Sequence, residues 1–362
     1  MRLSVVMAVR NGEPYVCEAI ESVLSQSIGD FEFLIVDDAS TDMTRQIVSS
    51  YERRDARVRL LCNARTLGPY SSANRALHEA RGEFVARHDA DDISPPDRFA
   101  IQLASLQADA NTALVTGAVE AFNLRGPSVV VRPSHWQPRL EWDLLFSNVV
   151  GAGAHVMFPR VFEGRPVSFP ATHRYAEDYG MWCSLARRGR VVCPPDVVYR
   201  HRHHETSISS SCKSEQDKCF ALQRHEYQSL YLGAGISPSV CGDLAQFWGA
   251  RGTLSLTEDL NRVGVRLGEL RAGFLGYVER RYGLADRGTL ERDIDEATVD
   301  RLAHWLRHAI RLKDGRTFRH LMALASRMGL GSRVTSRLVA KIARSARRKL
   351  SRTGAIARHP TR

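Results

Sequence analysis

The chain has 362 residues, 43% hydrophobic and 25% charged, the composition of an ordinary globular protein with one large domain plus an appendage, or two domains. Its apolar runs all fall short of the roughly 18 residues that a transmembrane helix needs. The net charge of +11 is local: from Arg333 onward there are ten Lys or Arg and no Asp or Glu, which leaves 41 basic against 40 acidic residues before it.

The first half alternates strand and helix patterns. "LSVVMAV" (3–9) is a short apolar run suited to a strand buried on both faces, and no small-residue cleavage site follows it as in a signal peptide. A helix is expected next, with Pro14 near its start and apolar residues at Val16, Ala19, Ile20, Val23 and Leu24. "FEFLIV" (31–36) predicts a second strand ending in Asp37-Asp38, and Ser40 or Thr41 is the expected N-cap of a second helix. "VRLLCN" (58–63), "SSANRALHEA" (71–80) and "EFVARHD" (83–89) continue as strand, helix and strand. Such alternation predicts a parallel sheet flanked by helices.

The fourth strand runs straight into Asp89, Asp91, Asp92 and Asp97. Acidic loop tips are often only solvated, but crowded carboxylates also suit a hard cation such as Mg2+ or Mn2+. Carboxylates end two strands here, at Asp37-Asp38 and at Asp89–Asp92, and ligands of open α/β sheets bind at the strands' carboxyl ends. That favours a metal-and-nucleotide site over a solvated loop. Neither G-x-G-x-x-G after the first strand nor a G-x-x-x-x-G-K-[ST] occurs, which argues against ordinary dinucleotide and P-loop sites. A phosphorylation receiver would need a Lys late in the sheet, which this layout does not supply.

Five segments in order, "SVVMAVRNGEPYVCEAIESVLSQS", "FEFLIVDDASTDMT", "RTLGPYSSANRALHEARGEFVARHDADDISPPDR", "RYAEDYGMWCSLARRG" and "VVYRHRHHETSIS", resemble family 2 glycosyltransferases over about residues 3–210. The resemblance implies a GT-A fold, that is, a Rossmann-like, mostly parallel sheet with helices on both faces. It implies that Asp38 accepts a hydrogen bond from a uracil or thymine ring N–H, and that backbone at Ala8 and Val9 cradles the base. A carboxylate is acceptor-only and suits an imide N–H. Asp89 is placed near the ribose, Asp91 on the divalent metal with Asp92 in support, and Asn74 and Arg75 beside the nucleotide. Asp178 is implied as the base that deprotonates the acceptor hydroxyl in an inverting, one-step displacement. Arg202 and His204 align with family positions that approach the diphosphate. His201, His203 and His204 lack a Cys or carboxylate frame for zinc in the sequence. The family often has Tyr where this chain has Arg10, whose planar guanidinium can stack on a base; Ala8 and Ala73 also depart from common family residues. Glu177-Asp178 also reads as an acidic pair at a helix N-terminus, where an Asp should keep a low pKa.

Beyond about residue 215 the resemblance ends, and short amphipathic helices with Gly-marked breaks are expected. From 333 a helix would gather Val334, Leu338, Val339, Ile342 and Leu350 on one face and most of its cations on the other, which suits an anionic membrane surface. No aromatics interleave those cations, so nucleic acid is disfavoured; a solvated tail is the plain alternative. The seven cysteines, odd in number and without metal spacing, are expected to be reduced and mostly buried.

The expected organisation is a GT-A domain over 1–214, a helical region over 215–332 and a basic tail over 333–362. The expected function is a cytoplasmic, metal-dependent transferase, peripheral at the inner face of the cell membrane. It would move a sugar from a UDP- or dTDP-sugar to a glycan or lipid-linked glycan. The competing readings are a non-catalytic nucleotide- or glycan-binding protein, and a nucleotidyltransferase. The latter would want a Gly-rich, Lys-containing signature where "AVRNGEPY" stands.

Overall fold

Strand β1 (Leu3–Val9) lies in the interior of a seven-stranded sheet, next to its central strand, and its apolar side chains are buried on both faces. It pairs in parallel with β2 (Phe31–Asp37) and β4 (Phe84–Asp89), and β2 pairs in parallel with β3 (Val58–Cys62). Beyond β4 come β8 (Met157–Pro159), β5 (Thr112–Val115) and β11 (Arg190–Val192). Only β8 runs antiparallel to its neighbours. This is the mostly parallel α/β fold expected. The computed structural model describes residues 2–123, 127–151, 153–172, 174–204, 213–233, 235–249, 254 and 260–356.

The sheet order 3-2-1-4 has a direct consequence. Crossover α1 (Val16–Leu24) carries the chain outward from β1 and α2 (Thr44–Glu52) carries it from β2, whereas α3 (Pro69–Glu79) brings it back past both. Right-handed crossovers then place α1 and α2 on one face and α3 on the other. The order reverses between β1 and β4, the point where open α/β sheets bind ligands. Ala8 of β1 pairs with Asp89 of β4 at that point.

Beside the large sheet, β12 (Val197–Arg202), β6 (Ala118–Phe122) and β7 (Val129–Val131) form a second one. The expected cap of α2 is not used. The helix begins at Thr44, because Asp42 accepts from the Thr44 and Glu13 amides while Ser40 accepts from the Asn11 amide. These bonds brace the loop after β1 against the loop after β2.

The chain divides into two units, Met1–Leu144 with Asn148–Gln223, and Leu145–Ser147 with Arg224–Arg362. The expected boundary at 214 lies near the start of α7 (Lys213–Leu232), and the division falls later on that helix. The second unit also holds α8 (Pro238–Gly249), α9 (Leu260–Tyr282), α10 (Leu284–Leu312), α11 (Gly315–Arg327) and α12 (Gly331–Ile356). The expectation of short, Gly-broken helices is overturned. α9 runs 23 residues through four glycines and α10 runs 29. Two of those glycines are contact points: a Cβ at Gly264 would lie 2.3 Å from Leu324 Cδ1, and one at Gly273 would lie 2.6 Å from the Tyr231 carbonyl oxygen. Close helix packing, not helix termination, explains them.

Cysteine burial also differs from expectation. Of the six described cysteines, all free thiols, only Cys183 and Cys241 are buried; Cys212 lies outside the described residues. No described helix is long and apolar enough to cross a membrane.

Candidate active site

Asp38, at the end of β2, is 3% exposed and already well bonded. Oδ1 accepts from Asn63 Nδ2 (2.7 Å) and the Leu67 amide (2.8 Å), and Oδ2 accepts from the Gly68 amide (2.9 Å). These donors hold its carboxyl below the usual range against the cost of burial. Oδ2 keeps a lone pair for a further donor. Its amide bonds the Val9 carbonyl at 2.8 Å, which sets Asp38 beside the end of β1; Ala8 there is half-buried, Val9 is buried and Arg10 is exposed.

Asn74 and Arg75 act as framing. The Asn74 amide exchanges two 2.9 Å bonds with the Phe169 backbone, and Arg75 Nη1 binds Asn63 Oδ1 at 2.6 Å and the Cys62 carbonyl at 2.7 Å. Asn63 is therefore the link from Arg75 to Asp38.

Asp89, Asp91 and Asp92 each offer an oxygen within 4.8 Å of the others. Their surroundings differ. Asp92 is 1% exposed; its oxygens take the Arg202 amide at 2.7 Å and His201 Nδ1 at 3.2 Å. The contact with Asp92 raises the His201 pKa to about 9, against the cost of burial. Asp91 is half-buried, with His204 Nε2 2.8 Å from its Oδ2. Asp89 is half-buried and pairs with Arg87 at 2.8 Å; burial, then the charges of Asp91 and Asp92, raise its pKa. The histidines thus do meet carboxylates, contrary to the sequence reading, because β12 returns beside the acidic loop. A divalent ion fits the open oxygens of Asp89 and Asp91, hard donors of the kind Mg2+ and Mn2+ take, while Asp92 serves as the buried anchor.

Arg202 donates from Nε to the Asp91 carbonyl at 2.8 Å and pairs through Nη2 with Glu18. Its guanidinium lies 4.9 Å from the Tyr15 ring centroid and 4.8 Å from that of Phe122. To meet a diphosphate it would exchange Glu18 for phosphate oxygens.

Asp178 occupies the first turn of α6 (Glu177–Arg188) and is 4% exposed. Oδ1 accepts from the Tyr179 amide at 2.7 Å and Oδ2 from Asn148 at 3.1 Å, and the Tyr70 hydroxyl lies nearby, both it and Asp178 bordering Gly153. The expected low pKa is overturned: burial pushes it up to about 6, outweighing these donors and the charge of Arg87. At this helix start, desolvation exceeds the macrodipole.

Sequence reasoning missed Arg87, Tyr70 and Asn148. A signal for Arg87 was present: it is a cation inside an apolar strand, two residues before Asp89 and hence on the same face of β4.

A mostly parallel sheet with an Asp-x-Asp at one strand's carboxyl end, beside a topological switch, defines a glycosyltransferase of the GT-A class. The family description "Glycosyl transferase family 2" matches residues 4–153. The glucosyltransferase WfgD of Escherichia coli is 30% identical over 58% of this chain and 80% of its own length. The succinoglycan biosynthesis protein ExoO of Rhizobium meliloti is 30% identical over 71% and 77%. The crystal structure of S. aureus TarS 1–349 in complex with UDP-GlcNAc shares the fold, with a TM-score of 0.53 and 18% identity, over 91% of this chain and 92% of TarS. The chain belongs to glycosyl transferase family 2.

Proposed function

We propose that the protein is an inverting glycosyltransferase that uses a UDP-sugar, with dTDP-sugars the second donor class, and a glycan or lipid-linked glycan acceptor in polysaccharide or envelope assembly. One observation carries the reading. A buried carboxyl with a pKa raised to about 6, Asp178, stands beside Tyr70, whose ring faces Arg87, and Arg87 pairs with Asp89 at the edge of the acidic cluster. A base and a diphosphate subsite are the two halves of single-displacement sugar transfer. The full name of WfgD, UDP-Glc:alpha-D-GlcNAc-diphosphoundecaprenol beta-1,3-glucosyltransferase, and the UDP-GlcNAc complex of TarS support the donor class.

In this reading residues 1–214 form the catalytic domain and 215–332 its helical partner. Asp38 takes the base N–H, with Ala8, Val9 and Arg10 alongside. A divalent ion on Asp91, with His204 beside it, neutralises the charge of the departing nucleoside diphosphate. Arg202 adds a fixed cation, and Asp178 takes the acceptor proton. The test is a panel of nucleotide-sugars screened for metal-dependent donor hydrolysis. Turnover of a UDP- or dTDP-sugar that stops with EDTA is expected; nucleotide binding without turnover on any donor would favour the non-catalytic reading.

The tail reading changes with the structure. Val334 and Leu338 are buried, while Arg333 and Arg337 pair with Glu296, and Arg337 and Lys341 with Asp300. The first turns of α12 are thus spent on α10, and among the described side chains of that helix the exposed large apolar ones are Val339 and Ile342. Membrane attachment would fall to those and to the seven cations from Arg344 onward. Each cation near an anionic surface is worth about 1 kcal/mol. Deleting residues 343–362 should abolish sedimentation with phosphatidylglycerol vesicles and leave donor hydrolysis intact. Equal sedimentation of the deleted and full chains would overturn the anchor.

A further inference from the structure

Arg87 lies beneath the proposed site as a buried cation. It is 3% exposed, and its guanidinium is 5.1 Å from the Tyr70 ring centroid and 5.9 Å from that of Phe169. Nη1 lies 2.8 Å from Asp89 Oδ1, yet neither Nη1 nor Nε makes a well-formed hydrogen bond. A guanidinium buried with incomplete bonding is costly, and an apolar side chain of similar volume would pack the same space. What such a side chain would not supply is a positive charge between two carboxylates. On one side stands Asp89, at the mouth of the acidic cluster. On the other, beyond the Tyr70 ring, stands Asp178: a Cβ at Gly153 would lie 3.5 Å from the Tyr70 hydroxyl and 3.4 Å from Asp178 Cβ.

We propose that Arg87 is a positioning residue for sugar transfer: its guanidinium orients Asp89 toward the donor and, with Tyr70, holds Asp178 aligned and ionised for the acceptor hydroxyl. The inference rests on Asp178 being the base. The groups that face Asp178 are Tyr70 from α3, Arg87 from β4, Asn148 from the segment after α5 (Gln137–Leu144), and Glu177, the Tyr179 amide and Cys183 from α6. Burial and the neighbouring Asp178 raise the pKa of Glu177, and burial raises that of Cys183. Arg87 is the cation among these groups. Without it, Asp178 would be harder to ionise and Asp89 free to turn.

The test uses the full chain with a turned-over donor, and compares Arg87→Met, Arg87→Lys and Tyr70→Phe. Arg87→Met should keep UDP affinity within about fivefold while kcat falls about tenfold or more. Its acid limb in the pH–rate profile should move up by about one unit or more, as expected when a nearby opposite charge is lost. Arg87→Lys should return the limb toward its wild-type position, and Tyr70→Phe should move it in the same direction as Arg87→Met. A merely structural Arg87 would lower affinity, rate and melting temperature together, leave the limb in place and gain nothing from Lys; that result overturns the proposal. If Arg87→Met does not fold, an unmoved limb in Tyr70→Phe overturns it equally. Failure of the underlying reading looks different: Asp178→Asn would still turn over, whatever Arg87 does.

Discussion

Asp178→Asn should lower the transfer rate by about 10²–10⁴ while UDP affinity and melting temperature stay near those of the unaltered chain. The substitution keeps the shape and an oxygen for the Tyr179 amide, places an NH2 opposite the Asn148 NH2 where a carboxylate oxygen stood, and removes the group that accepts the acceptor's proton. The pH dependence sharpens the expectation. The base must be ionised to act, and its pKa is raised to about 6, so activity should fall as pH drops through that value. In Asp178→Asn the residual rate should lack this limb. Stability runs the other way. Because the folded pKa lies above the ordinary 3.8, folding favours the protonated form, and that contribution is lost as pH rises through about 6. A neutral Asn carries no such loss at pH 7, so no thermal penalty is expected there. Undiminished turnover would move the base elsewhere, with Glu177 the next carboxylate.

Asp91→Asn should remove most of the metal-dependent part of UDP affinity. Asp91 is half-buried with His204 on one carboxylate oxygen, whereas Asp92 is buried against the Arg202 amide and His201, and Asp89 is paired with Arg87. Replacing one charged oxygen ligand by a neutral one weakens a site that holds Mg2+ or Mn2+ through only one or two carboxylates. Calorimetry with and without EDTA reads this directly. The unaltered chain should lose UDP affinity on chelation and the variant should show little difference. Equal affinity of the unaltered chain in both buffers would count against a metal site.

The parts legible in the sequence were those written in local pattern. The four strands from Leu3 to Asp89 are apolar runs with sharp polar ends, and carboxylates stand where β2 and β4 stop. β8 was not legible: three residues carry no period, and it joins the sheet antiparallel between strands far from it in sequence. The glycines of α9 misled because Gly signals both helix ends and close packing, and only a partner helix distinguishes the two. The raised pKa of Asp178 was invisible for a related reason. A helix N-terminus can be read from neighbours in sequence, but desolvation by the surrounding core cannot.

The acidic loop after β4 has a consequence for how this protein must assemble. Asp92 is buried by partners 109 and 110 positions later, at His201 and Arg202. A nascent chain that stops short of β12 could lay down four parallel strands from local pairings, yet would leave this loop carboxylate without the groups that satisfy it. The acidic cluster is therefore complete only once β12 has docked. Any lesion that delays β12, however far from the chemistry, should be felt first as a loss of donor binding.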